Sequence, residues 1–195
     1  MTSSVWYVAY GSNMAADRLT CYLAGGCPPG GSRVNPGARD ATAPARSEPV
    51  DLPGTTYFAG ESPQWGGGVA FYDHDEPGRT AARAFLVSTG QLADIAAQEM
   101  YRVPVDGDPL EEVLLSRFDG DRHTWGPGRY ETLVRVGELD GAAMLTFTSP
   151  HGATAAERSR PAPAYLATMA AGLRESRGWD EDEIAGYLDS LVVPH

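Results

Sequence analysis

The chain has 195 residues, 42% of them hydrophobic and 21% charged, with a formal net charge of −11. That length suits one domain over residues 1–195, and the composition supports a real core rather than a disordered chain. The acidic balance argues against a nucleic-acid binder, because phosphate recognition needs clustered cations.

All 15 basic residues are arginines, so no lysine is present to form a Schiff base or act as a general base. Cys21 and Cys27 make a poor disulfide framework and lack the spacing of a zinc or redox pair. Met1 to Val5 has neither the basic start nor the apolar core of a secretory signal, and no apolar run approaches bilayer length. A soluble, cytoplasmic protein is expected.

In chain order, Val5 to Tyr10 reads as a short aromatic-rich strand, ended by Gly11-Ser12-Asn13 and followed by a helix through Asp17, Arg18 and Leu19. From Gly25 to Gly54 the character changes. Pro28, Pro29, Pro36, Pro44, Pro49 and Pro53 interleave with Gly and Ser, which excludes a long helix or a central strand. A loop of that length (residues 24–54) is either a lid or a solvated excursion.

Strands are expected at Thr55–Ala59, Gly68–Tyr72 and Ala82–Val87, with a turn at Glu76-Pro77-Gly78 before the last. Glu111 to Arg117 fits either a strand or a helix. Tyr130–Val136 and Ala142–Thr148 flank Asp140-Gly141, a strong hairpin signal. Pro161 and Pro163 precede a helix carrying Tyr165, Leu166, Met169 and Leu173. Asp180, with Glu183 three residues on, caps a last helix through Ile184, Tyr187, Leu188 and Leu191. Many short strands with few helices point to an α+β domain, its mixed sheet curled into a small β-barrel with flanking helices.

The most informative stretch is Ser88 to Met100. Ser88 and Gln91 fit a capping box, and Leu92, Ile95 and Ala96 mark a buried face. Seven residues on from Leu92, that face reaches Glu99, while Asp94 and Gln98 fall elsewhere on the wheel. A carboxylate on an apolar face is uncommon. Either the helix frays first and leaves Glu99 in water or paired with Arg102, or Glu99 is a desolvated carboxylate suited to proton transfer.

Other candidates are weaker. Asp73-His74-Asp75-Glu76 has metal-ligand residue types, but adjacent strand-end positions point alternately. Cys27 precedes two prolines and has no nucleophile signature. Trp65 with Gly66 to Gly68 lacks the Lys and spacing of a phosphate loop.

The segment Tyr7-Val8-Ala9-Tyr10-Gly11-Ser12-Asn13-Met14 resembles the signature of the γ-glutamylcyclotransferase family. Trp65 to Ala70 resembles the family's second glycine segment, and Ala84 to Val87 with Leu92 its next strand and helix. Gln98-Glu99 falls where the family carries its catalytic glutamate, and Pro163-Ala164-Tyr165 before Gly172 resembles its substrate-tyrosine segment. Two features depart: Met100 stands where Gly is common, and the 25–54 loop is long and rich in proline.

The resemblance implies release of 5-oxoproline from a γ-glutamyl amide, with Glu99 as base and then acid. It also implies substrate contacts from Tyr7, Val8, Ala9, Tyr10, Gly11, Ser12, Asn13 and Tyr165, in which the Tyr10–Asn13 turn cradles an anion. Arg33, Arg39 and Arg46 are candidates to meet a leaving group's carboxylate. The expected partner is a small γ-glutamyl compound, with no cofactor, metal, nucleic acid or membrane; homodimer formation is left open. A γ-glutamyl amidase and a non-catalytic binding module are the alternatives.

Overall fold

The computed structural model describes residues 4–116, 118 and 120–192. Six strands form one mixed sheet in the order β2-β5-β1-β8-β7-β6. They are β1 (Ser4–Ala9), β2 (Ser47–Pro53), β5 (Arg79–Ser88), β6 (Arg122–Thr124), β7 (Thr132–Leu139) and β8 (Ala142–Thr148). β1 runs parallel to β8, and the other neighbours pair antiparallel. Asp140 and Gly141 both take positive φ, 50° and 77°, the geometry that a two-residue hairpin turn demands.

β3 (Thr55–Ala59) and β4 (Val69–Asp73) form a separate two-stranded hairpin, and the sheet does not close into the expected barrel. The reason lies in the available edges. Both sides of β5, β1 and β8 are already paired, so the hairpin meets the sheet through side chains. Thr56 Oγ1 lies 3.1 Å from Thr80 Oγ1, and Thr148 Oγ1 accepts from Tyr72 N at 3.0 Å while donating to Tyr72 O at 2.7 Å.

Five helices complete the domain: α1 (Ala16–Ala24), α2 (Thr89–Glu99), α3 (Pro109–Leu115), α4 (Pro163–Arg177) and α5 (Glu181–Leu191). None is long and apolar enough to cross a membrane. The ambiguous Glu111–Arg117 stretch is helical through Leu115, and Arg117 lies outside the described residues. Both capping boxes form, at Ser88–Gln91 and Asp180–Glu183.

α2 is not amphipathic. Asp94 and Gln98 are buried along with Leu92, Ile95 and Ala96. The cover is the proline-rich segment. Gly37 N donates to Gln98 Oε1 at 3.2 Å, and Arg39 pairs with Asp94 at 2.8 Å, Asp106 at 2.5 Å and Glu111 at 2.8 Å. Beyond this strap the same segment becomes β2, an edge strand that tolerates Pro49 and Pro53 because its outer side needs no ladder donors.

α4 packs on the single turn of 3-10 helix at Ser12–Met14 that follows β1. The approach is so close that a Cβ at Gly172 would lie 2.6 Å from Ala15 N and from Met14 C and Cβ. Backbone cannot yield there as a flexible side chain would. Gly172→Ala should therefore cost about 1–3 kcal/mol, lowering the midpoint of a thermal melt by about 2–4 °C per kcal/mol.

Candidate active site

β1 delivers Tyr7, the turn after it delivers Tyr10, Gly11, Ser12 and Asn13, and α2 ends on Glu99. These residues line an open cavity of about 300 Å³, with Tyr165 of α4. Residues 33–36 of the proline-rich segment form part of its wall. Val8 and Ala9 do not reach the cavity. Both are buried in β1, opposite Ala84 and Arg83 of β5, and serve the core rather than a ligand.

Glu99 is half-buried and accepts from Asn13 Nδ2 at 2.8 Å. The same nitrogen donates to the Tyr7 hydroxyl at 2.9 Å. Arg102 does not pair with Glu99; its partners are Asp108 at 2.6 Å and Glu131 at 3.5 Å. Among the described residues lining the cavity Glu99 is the one carboxylate, and none is His or Cys.

The aromatic wall is chemically quiet. Burial pushes the hydroxyls of Tyr7, Tyr10, Tyr22, Tyr130 and Tyr165 above the ordinary phenol range, and the Glu99 charge pushes four of them further, Tyr10 being the exception. They stay neutral near pH 7. Several are already committed, with Tyr10 donating to Phe147 O at 2.9 Å and Tyr130 to Ala70 O at 2.8 Å.

Tyr165 sits behind the turn. Its hydroxyl accepts from Ala70 N at 3.1 Å and more weakly from Ser12 N at 3.5 Å. Of the arginines expected to face a ligand, Arg33 lines the cavity and stacks over Tyr101 with its guanidinium carbon 4.7 Å from the ring centroid. Arg39 is held in the strap, and Arg46 pairs with Glu48 and Asp140 at 2.9 and 2.8 Å, so neither is available.

Asp73, His74 and Asp75 do bring ligand atoms within 4.8 Å of one another, contrary to the alternation expected of adjacent positions. A turn explains the convergence. Asp73 accepts from Asp75 N at 3.0 Å and from Ala153 N at 2.7 Å.

Sequence reasoning missed Arg18, Tyr22 and Gln64, which all line the cavity. Arg18 had a usable signal. It lies four residues before Tyr22, so an arginine shares a helix face with a large apolar ring, the kind of anomaly that marked Glu99.

Gly11 is required by space rather than by φ, which is −117°. A Cβ there would lie 2.7 Å from the Tyr165 hydroxyl oxygen and 3.2 Å from Ala70 Cβ. Gly11→Ala should destabilise by about 1–3 kcal/mol. Adding Tyr165→Phe, which removes the nearest atom, should recover part of the loss. A double-mutant cycle by chemical denaturation would read this as non-additivity, and strict additivity would show the contact to be unimportant.

No protein-family model matches the chain. A histone deacetylase 5 from Arabidopsis thaliana is 28% identical over 207 residues, covering 96% of this chain. The chain spans about a third of that relative, 31%, so its name describes a protein most of which has no counterpart here. Among solved structures, a gamma-glutamyl cyclotransferase superposes with TM-score 0.58 at 15% identity, covering 98% of this chain and 90% of the other. A human protein described as uncharacterized superposes with TM-score 0.53 at 16% identity, covering 98% and 89%. The chain has the γ-glutamylcyclotransferase-like fold.

Proposed function

We propose that the chain is a γ-glutamylcyclotransferase, converting a γ-glutamyl amide to 5-oxoproline and a free amine or amino acid. The observation that carries this reading is the lone carboxylate, Glu99, facing a cavity walled by neutral tyrosines and an open backbone turn. The reaction is internal aminolysis, so nucleophile and electrophile arrive in one molecule. The enzyme's first task is to fold that molecule into the attacking conformation, an orientation worth on the order of 7–11 kcal/mol in favourable cases.

Glu99 then handles the protons. Its carboxylate takes a proton from the substrate's α-ammonium, and the freed amine attacks the γ-carbonyl carbon. The new C–N bond closes a five-membered ring. As the bond to the leaving nitrogen breaks, Glu99 returns its proton to that nitrogen. The second proton on the new ring nitrogen passes to the departing amine, which leaves as an ammonium, and the carboxylate is regenerated.

The oxyanion formed in between lies against the Tyr10–Asn13 turn. The Ser12 N–H has only a 3.5 Å contact to the Tyr165 hydroxyl, so it can turn to a developing charge. Residues 33–36 act as a cover that limits water and so favours cyclisation over hydrolysis.

Glu99→Gln keeps the shape and the Asn13 contact but cannot accept a proton. Turnover should fall about 10²–10⁴-fold with the circular dichroism spectrum unchanged. The assay is mass-spectrometric detection of 5-oxoproline from a panel of γ-glutamyl compounds. Release of glutamate instead would identify an amidase. Activity within threefold of the parent in folded Glu99→Gln would remove Glu99 from the mechanism.

A further inference from the structure

Three side chains that line the cavity carry buried polar atoms with no partner in the protein. Arg18 is 4% exposed, and its Nε and Nη1 have no hydrogen-bond partner. Gln64 is 6% exposed, and its Nε2 has none. Asn13 is 6% exposed, and its Oδ1 has none. All three side chains line the same cavity. Three of these four atoms are donors and one, Asn13 Oδ1, is an acceptor.

Arg18 is the costliest of these. A guanidinium cannot shed its charge by titration in the accessible range, and a buried cation left without an anion is strongly unfavourable. The protein offers partial compensation. The guanidinium carbon lies 4.0 Å from the Tyr22 ring centroid and 5.8 Å from that of Trp65. Nη2 donates to the Tyr22 hydroxyl at 2.5 Å. The remaining two nitrogens await an acceptor.

The Glu99 charge acts on the Tyr22 hydroxyl, adding to the rise that burial causes. The guanidinium and the carboxylate line the same cavity, one charge for each end of an amino-acid head group. Asn13 donates to Glu99 through Nδ2, which leaves Oδ1 as an acceptor beside the same carboxylate.

Resting on the γ-glutamyl reading, we propose that Arg18 and Gln64 form the α-carboxylate subsite of the cavity, while Asn13 Oδ1 and Glu99 receive the α-ammonium. The ligand enters as an α-amino-acid zwitterion whose two charges meet their complements within the one cavity. This assignment leaves the Tyr10–Asn13 turn to the γ-carbonyl oxygen. It also orients the chemistry, because anchoring the carboxylate on Arg18 holds the ammonium at Glu99.

The test is calorimetric binding of L-glutamate and L-isoglutamine, which differ only in carrying an α-carboxylate or an α-carboxamide. The parent protein should prefer glutamate by about 10–100-fold, the range for hydrogen bonds to a charged group. Arg18→Gln should bring the preference to within about threefold, and Gln64→Leu should narrow it. If Arg18→Gln does not fold, Gln64→Leu decides.

Equal binding of the two probes by the parent, binding of neither, or an unchanged preference in the folded variants would overturn the proposal. The two readings fail separately. Release of 5-oxoproline with an Arg18-independent preference overturns the subsite alone. An Arg18-dependent preference in a protein that cyclises no γ-glutamyl compound overturns the activity alone.

Discussion

The Asn13 side-chain amide spends both of its protons inside the cavity, one on the Tyr7 hydroxyl and one on Glu99. Those three residues come from a strand, the turn that follows it and the end of a helix nearly ninety positions later (|i−j| of 86). The amide therefore sets the depth at which α2 may end relative to β1. An ionised carboxylate only accepts, so the nitrogen and not the oxygen must face Glu99. The orphaned Oδ1 is a consequence of that choice, and so is the cavity's capacity for a cationic group.

Holding Glu99 at that depth requires α2 to stay put, and the proline-rich segment provides this. A helix with one apolar face rests on a sheet and leaves the rest to water. Here the second face carries Asp94 and Gln98; the strap closes over them with Arg39 and Gly37, and α1 adds the Tyr22 carbonyl. Each polar group is buried with its partner supplied, as buried polarity must be. The same stretch continues past Arg33 to Pro36 at the cavity wall, so rigidity at the helix and enclosure of the site come from one piece of chain.

Local chemistry was legible in the sequence wherever partners lie a few residues apart. The two capping boxes, the Asp140-Gly141 hairpin and the strands Thr55–Ala59 and Ala142–Thr148 are all set by neighbours in the chain. Glu99 was visible because seven residues separate it from Leu92 on one helix. What depended on distant chain was not. The burial of Asp94 and Gln98 follows from residues 22–39, and no helical wheel includes them.

The barrel failed for a related reason, since alternation within a strand says nothing about which edges are already taken. Val8 and Ala9 share a motif with Tyr7 and Tyr10 but are buried away from the cavity. A contiguous signature mixes residues that line the cavity with residues that hold the strand.

The open sheet has two ends, and neither invites company. β2 presents Pro49 and Pro53, which lack the N–H that an incoming strand would need, and β6 at the far side is only three residues long. Backbone-to-backbone extension of this sheet by another chain is thereby discouraged at both margins. At those two margins the six-stranded sheet is thus guarded against the edge pairing that leads to fibrous aggregates.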